Sequence, residues 1–532
     1  MRMVNPVVRF PAGRYYALTW GIADDFGGMT SALLHRSRGF RRLGGVNVEV
    51  LTLDDRPDYA ELSAKLLAAG ELTEGVSIRN LWDDLRLREL RPAKRQSGPV
   101  DAPEALAEIE PVAAHGDDRV IEHGGVVLLR ERRDESGEVV GVDRFRRDGS
   151  LLATERYGDD GYSVVLYDAE GQAVRRWGSR WKLYRWWLDQ VFKKRLSFLI
   201  IDSKTAARFV PGYRRENVVT LHLVHASHRR PAEEALLGID GLPAGDEQQP
   251  ATGSTISVLR PSREKVLKQS NSFDSIVVLT ERQREELVSD LADLGIDARA
   301  VVRVIPNGID LPPAQASAHT RGSGIVVASL DERKRVELAV DAVVVAHSQS
   351  PEVTLDVYGS GERADAIREQ VAQQHAEGFV ALHGYQPDAR SHFTQAEFCL
   401  LTSSNEGLPL VLVESMAAGC IPIAFDIRYG PADMIRNGVS GFLVPEGDTE
   451  QVAQRILELQ RMSDSQLQVM RNKAVAKAQE FSDEAVAKRW AKEFERALGA
   501  KRIRDAADQP VATQLRRRAG NVRRRVRRVL GR

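Results

Sequence analysis

Residues 403–424 read SSNEGLPLVLVESMAAGCIPIA, and Glu406 and Glu414 are the only charged side chains among them. Eight positions separate the two carboxylates. The preceding apolar run, AEFCLLTS at 396–403, reads as a strand, and SSNEG as a loop at its carboxyl end. Pro409 suits the first turn of a helix and Gly419 its C-terminal stop. Leu410, Val411, Leu412, Val413, Met416 and Ala417 cover nearly the whole circumference of that helix, so Glu414 is expected on a buried surface. A buried carboxylate is costly unless hydrogen-bonded, and sugar hydroxyls are suitable donors. Glu406, one loop earlier, is free to point into a cleft, while the unpaired N–H groups of the helix N-terminus favour an anionic phosphate. The bland alternative, two solvated carboxylates, fits poorly with so few polar neighbours.

Two further stretches carry polar side chains at element ends. DDFGGMT at 24–30 places Gly27 and Gly28 in a loop that opens a helix, where missing side chains let a backbone approach phosphate or sugar closely. LHLVHASHR at 221–229 places His222, His225 and His228 at the end of an apolar strand. One isolated histidine is more often a packed core residue; three at a strand's end point to at least one in a cleft.

The elements that must position these groups alternate strand with helix. YYALTW (15–20), a Gly-containing loop, a helical stretch and VNVEVLTL (46–53) make a strand, helix, strand unit. The same texture returns after residue 195 in RLSFLIID, NVVTLHLVH and DSIVVLT, and again from Gly324 in GIVVASL, VTLDVYGSGE, FVALHGY, AEFCLLTS and CIPIAFD. The class is therefore α/β, with two doubly wound parallel sheets whose carboxyl ends face a cleft. Between them, Ser136-Gly137, Asp148-Gly149, Asp160-Gly161 and Glu170-Gly171 mark turns at the spacing of an antiparallel meander, which predicts a β-rich insertion in the first domain. The expected divisions are 1–90 and 179–318 for the first domain, 91–178 for the insertion, 319–482 for the second domain, 483–499 for a final helix with Ser482 as N-cap and Gly499 as stop, and 500–532 for a basic tail.

Composition restricts the functional classes. The 532 residues are 42% hydrophobic, and 75 Lys/Arg balance 75 Asp/Glu, so no global charge announces a nucleic-acid partner. Residues 501–532 depart from that balance with twelve basic and two acidic side chains. Cys399 and Cys420 both sit in apolar runs and read as core residues. No run of eighteen apolar residues occurs and the first residues lack a signal-like apolar region, so a cytoplasmic protein is expected.

The spacing of Glu406 and Glu414 resembles the E-x7-E signature of the retaining, nucleotide-sugar-dependent glycosyltransferases of family 4, which have the GT-B fold of two Rossmann-like domains. VIPNGID (304–310), VYGSGER (357–363) and NGVSGFLVPEGD (437–448) agree with it in order and spacing. The resemblance implies that Glu406 contacts the donor sugar, that Glu414 holds the nucleotide ribose, and that the backbone N–H groups of Gly407, Leu408 and Leu410 receive the diphosphate. It implies a donor-side role for Gly27 and Gly28, a place beside the base for Tyr385 in HGYQ, and a place near the donor sugar for His225 or His228. In VASLDERKR (327–335) Lys334 stands where the family has its diphosphate lysine, but Ser329 replaces the usual arginine, which leaves Arg333 or Arg335 to compensate. A UDP-sugar donor without a metal ion or other cofactor is implied.

The β-rich insertion narrows the resemblance to the poly(glycerol-phosphate) and poly(ribitol-phosphate) α-glycosyltransferases. Transfer of glucose or N-acetylglucosamine to a cell-wall polymer such as teichoic acid is then expected, with the insertion supporting a homo-oligomer or the acceptor. The alternatives are a protein N-acetylglucosaminyltransferase of the adhesin-modifying type and a non-catalytic subunit on the same fold. Trp177, Trp181, Trp186 and Trp187 cluster where the insertion ends and are expected to pack against the sheet rather than to form a sugar platform. Leu515, Val522, Val526, Val529 and Leu530 interleave with the arginines of the tail, as in a helix lying on an anionic membrane surface.

Overall fold

In the computed structural model, residues 7–91, 118–158, 161–229, 260–298, 301–311 and 318–507 are described. Seven parallel strands form the first sheet, in the spatial order Val302–Val304, Ser275–Val278, Val218–Val224, Ser197–Ile201, Arg14–Leu18, Val48–Thr52 and Val76–Asn80. Apolar residues occupy both faces of these strands, as burial under helices on each side requires. Tyr16, Leu18, Leu199 and Ile201 point into one core, while Tyr15, Phe198, Ile200 and Val219 point into another. Six parallel strands form the second sheet, in the order Val380–Gly384, Thr354–Tyr358, Thr320–Val327, Ala396–Leu401, Ile421–Phe425 and Phe442–Val444.

Strand order reverses beside Arg14–Leu18 in the first sheet and beside Thr320–Val327 in the second. Loops leaving neighbouring strands diverge at such points and open a crevice at their carboxyl ends. Gly27 and Gly28 follow one of these strands, Asp202 its neighbour, Lys334 the third and Glu406 the fourth. The switch points therefore place all the main candidate groups around one opening.

The insertion is a six-stranded antiparallel meander from Arg119–His123 to Ala173–Trp177. Gly137, Gly149, Gly161 and Gly171 have φ of 85, 83, 100 and 78°, the left-handed conformation its tight turns need. The meander contributes Leu152, Ala153, Val164, Leu166 and Trp177 to the first domain's core. Arg144 locks the module down: its buried guanidinium pairs with Asp55 of the first domain and Glu155 of the meander and lies 3.8 Å from the centre of the Trp82 ring. Trp177 and Trp187 are fully buried and Trp181 and Trp186 pack against the same core, so the cluster is structural.

The final helix corrects one expectation. It runs Asp483–Ala507, straight through Gly499, rather than stopping there. An interior glycine costs about 1 kcal/mol relative to alanine, and two cations beyond it offset that cost. Lys501 is buried 3.7 Å from Asp274, and Arg504 pairs with the same carboxylate. Trp490 and Phe494 hold the helix against Tyr15, Phe40 and Phe198 of the first domain. Residues 501–507 thus belong to this crossover, and the rest of the basic tail lies outside the described residues. No helix among the described residues is long and apolar enough to cross a membrane.

Candidate functional site

The two domains enclose a cleft of about 1050 Å³. On the second-domain side, the loop after Thr320–Val327 is held by its neighbours: Ala328 donates to the Tyr358 carbonyl at 3.0 Å and Leu330 to that of Ser360 at 2.9 Å. Gly359 is required at this crossing, because a Cβ there would lie 1.8 Å from the Ala328 carbonyl oxygen. Asp331 then caps a short 3-10 turn, Glu332–Lys334, accepting from the Lys334 N–H at 3.2 Å. Thr402 donates its hydroxyl to the Lys334 carbonyl at 3.1 Å, and Ser404 its N–H to that of Arg333 at 2.9 Å. These bonds bring the basic turn against the Glu406 loop, where the Lys334 ammonium meets Glu406 Oε1.

Ser329 has a different occupation from a cation. Its hydroxyl donates to Asp331 Oδ2 at 2.6 Å. Burial alone would raise Asp331, but this hydrogen bond and the charges of Arg333 and Lys334 hold its carboxyl low. Of the two nearby arginines, Arg335 turns away, donating to the Thr402 and Ser403 carbonyls and pairing with Glu446 at 2.9 Å. Arg333 is half exposed beside the loop, with Nη1 3.5 Å from Glu406 Oε2, and does not itself line the cleft.

The helix after Glu406 is Leu410–Ala417, with Pro409 at its N-cap and Leu412, Val413 and Met416 buried. In its first turn the Leu412 N–H donates to the Pro409 carbonyl at 3.0 Å, and Gly407, Leu408 and Leu410, ahead of that bond, line the cleft at the positive end of the helix. Glu414, one turn further, also lines the cleft with its side chain only 10% exposed. Burial raises its carboxyl above the ordinary range, with Arg390 pulling weakly the other way. Arg390 Nε lies 3.0 Å from Glu414 Oε2, yet out of line, so that oxygen makes no hydrogen bond.

The first domain contributes His225 and Gly28. His225 Nε2 is 2.8 Å from Asp202, whose other contacts are two hydrogen bonds from Arg36 at 2.8 and 2.9 Å. Burial would raise Asp202, but the Arg36 charge and the hydrogen bonds from His225 and Arg36 outweigh it and hold the carboxyl at about 2. The imidazole is thus fixed by an ionised partner. Gly27 caps the Gly28–Gly44 helix, and a Cβ at either Gly27 or Gly28 would meet no neighbour. These glycines leave open space rather than relieve a clash. Gly407 does the reverse: a Cβ there would lie 2.3 Å from the His225 carbonyl, so glycine lets the two domains close on each other.

Of the expected residues, Gly27 and Arg333 adjoin the cleft without lining it, and three stand elsewhere. His228 is fully buried, 3.0 Å from Asp290, and does not line the cleft. His222 points the other way from the strand, its Nδ1 3.1 Å from the Ile201 carbonyl, and burial lowers its pKa to about 4. Tyr385 is 73% exposed after the turn at Gly384 and does not line the cleft either. Only residue 225, just past the strand end, reaches the opening. Arg390, Asp202 and Arg36 are site residues that sequence reasoning missed. Arg390 lies in a 3-10 segment, Ala389–Thr394, whose composition carries no signal.

Two parallel Rossmann-like domains, a cleft between their carboxyl ends and an antiparallel insertion in the first define a protein of the GT-B class. Residues 312–478 match the family described as glycosyl transferases group 1, so the second domain is a group 1 glycosyl transferase domain. Over 537 residues the chain is 21% identical to the poly(glycerol-phosphate) alpha-glucosyltransferase of Bacillus subtilis, covering 91% of this chain and 75% of that one. It is 28% identical over 235 residues to the GtfA subunit of the UDP-N-acetylglucosamine–peptide N-acetylglucosaminyltransferase of Streptococcus pneumoniae, covering 43% of this chain and less than half (46%) of that subunit. Among solved structures, S. aureus TarM in complex with fondaparinux, alpha-GlcNAc-glycerol and UDP superposes with a TM-score of 0.60 at 18% identity, over 91% of this chain and 100% of that one.

Proposed function

We propose that this protein is a retaining glycosyltransferase that moves glucose or N-acetylglucosamine from a UDP-sugar to a poly(alditol phosphate) of the cell wall, of the teichoic-acid type. The observation that carries the reading is the pairing of Lys334 with Glu406 at the N-terminus of the Leu410–Ala417 helix, with Glu414 one turn further in. In this reading the donor diphosphate lies on the N–H groups of Gly407 to Leu410, where the helix dipole favours an anion. Lys334 and Arg333 neutralise the charge that builds on the leaving diphosphate, Arg333 serving where Ser329 cannot. The ribose hydroxyls donate to Glu414, whose unbonded Oε2 awaits such a donor. Glu406 exchanges its contact with Lys334 for the sugar hydroxyls. The acceptor hydroxyl attacks on the face from which the diphosphate leaves, which retains the anomeric configuration. His225, anchored by Asp202, stands near the donor sugar.

Likeness to the B. subtilis polymer glucosyltransferase across 91% of the chain supports a polymeric acceptor. The higher identity to the pneumococcal GtfA subunit favours a second reading, transfer to a protein. Incubation with UDP-glucose or UDP-N-acetylglucosamine and either poly(glycerol phosphate), poly(ribitol phosphate) or a Ser/Thr-rich peptide separates the two. Anomeric proton couplings of the product test retention. Labelled product on the peptide alone refutes the polymer reading, and no product or donor hydrolysis under any condition refutes the enzyme. Residues 508–532 are proposed to hold the enzyme on anionic lipid, and a truncated chain that still floats with anionic vesicles refutes that.

A further inference from the structure

We infer that Tyr429 is a positioning residue that ties the Glu406 loop to the first domain through Glu286. The inference rests on the reading of Glu406 as a donor-site carboxylate.

The Glu406 loop leans on a neighbouring segment through two backbone hydrogen bonds. Tyr429 donates its N–H to the Glu406 carbonyl at 2.8 Å, and Glu406 donates its own to the Arg428 carbonyl at 3.3 Å. Main-chain position at Glu406 is therefore set by residues 428 and 429. The side chain of Tyr429 reaches the first domain. Its ring is fully buried, parallel to that of His228 at a centroid distance of 6.4 Å, and its hydroxyl donates to Glu286 Oε2 at 2.6 Å. Glu286 lies on the Glu281–Asp293 helix of the first domain.

The acceptor of that hydrogen bond is itself held from both sides. Arg428 lies 3.0 Å from Glu286 Oε1, and Arg229 lies 3.4 Å from Oε2. Two more bonds cross the same seam: Arg282 to Asp426 at 3.0 Å, and the Glu281 N–H to Asp433 at 2.5 Å. Behind the loop, a Cβ at Gly430 would lie 2.3 Å from Pro409, so the segment is packed as well as hydrogen-bonded. Glu406 thus receives its backbone position from Tyr429, and Tyr429 receives its own from the first domain. A group placed this way reaches the reacting sugar in register with His225 only while the phenol bond is made. Displacement of a reacting or orienting group by an ångström is enough to cost rate without unfolding anything.

The test is Tyr429→Phe in the full chain, which removes one oxygen and leaves Glu286 paired with Arg428 and Arg229. Backbone hydrogen exchange of residues 404–409, followed by mass spectrometry in the free protein, should speed up several-fold while the melting temperature stays within a degree or two. With donor and acceptor present, kcat should fall on the order of tenfold, and the Kd for UDP, held at Glu414 outside that segment as well as at Gly407 and Leu408 within it, should change by less than kcat. Glu286→Ala should reproduce both effects, and the double variant should be no worse than either single one. Unchanged exchange at 404–409 in Tyr429→Phe overturns the inference, as does additive loss in the double variant. A wild-type chain inert toward every UDP-sugar refutes the transferase reading instead, and the exchange experiment still decides the positioning role.

Discussion

Replacing Glu414 by Gln separates a ligand-binding carboxylate from a structural one. The side chain is 10% exposed, while its ion-pair partner Arg390 is 70% exposed. An ion pair with one such solvated member contributes at most about 1 kcal/mol, and burial of the charge works against even that. Gln keeps the shape and one acceptor oxygen, so Glu414→Gln should change the free energy of unfolding by less than about 1 kcal/mol. Ligand affinity should respond differently. Hydrogen bonds to a charged acceptor contribute about 1.5–3 kcal/mol net, which converts to roughly 10- to 150-fold in the Kd for UDP. Isothermal titration with UDP, beside a thermal melt of the same sample, reads both quantities. The pH dependence supplies a second check with a definite sign. The folded state raises this carboxyl above its ordinary 4.5, so it binds the proton more tightly than the unfolded chain does. Glu414 therefore opposes folding increasingly as pH rises from 4.5 through its raised folded value, and wild-type affinity for UDP falls as pH is lowered through that interval. The Gln variant should lack both slopes. An unchanged UDP affinity, or an affinity lost only in proportion to lost stability, refutes the assignment of Glu414 to the ribose.

Lys334→Ala should lower turnover about 10²- to 10³-fold, the usual cost of removing one charge stabiliser from a transition state, measured with saturating UDP-sugar. A drop confined to KM places Lys334 in ground-state binding instead. Asp202→Asn should destabilise the chain by about 3–5 kcal/mol at neutral pH, because Arg36 is left buried without its anion. Since the folded carboxyl is held at about 2 against an ordinary 3.8, the stability gap between wild type and variant should persist above 3.8 and narrow by about 2.4 kcal/mol as pH falls through 2; a gap that widens in acid contradicts this. Arg144→Ala should cost a similar amount, since Asp55 and Glu155 lose their shared partner, and calorimetry should show the loss in the transition that includes the first domain and the meander. An unshifted transition means the insertion is not anchored there.

Local signals were strong wherever one physical demand acts over a few residues. The parallel strands announced themselves because burial on two faces excludes polar residues from them, and the meander because each hairpin needs a left-handed residue at its turn. The Glu406 loop and Glu414 helix were readable for the same reason: a carboxylate in an apolar helix has few affordable uses. Where a position depended on contact with a remote segment, reading failed. Nothing near Gly499 shows that Asp274, 230 residues upstream of Arg504, will pull the helix onward. Nothing in VHASH shows that Asp290 claims His228 while Asp202 turns His225 to the cleft.

By itself, then, the amino-acid sequence determined the class of fold, the two carboxylates and lysine of the candidate donor side, and the departure at Ser329. Tertiary structure decided which cation stands beside Glu406, which histidine faces it, and that Tyr429 and Glu286 hold the Glu406 loop across the domain seam. The physical reason is range. Patterning and capping act over a turn or a strand, whereas the direction of a polar side chain is set by whichever counter-charge or hydrogen-bond partner the fold brings to it, from anywhere along the chain.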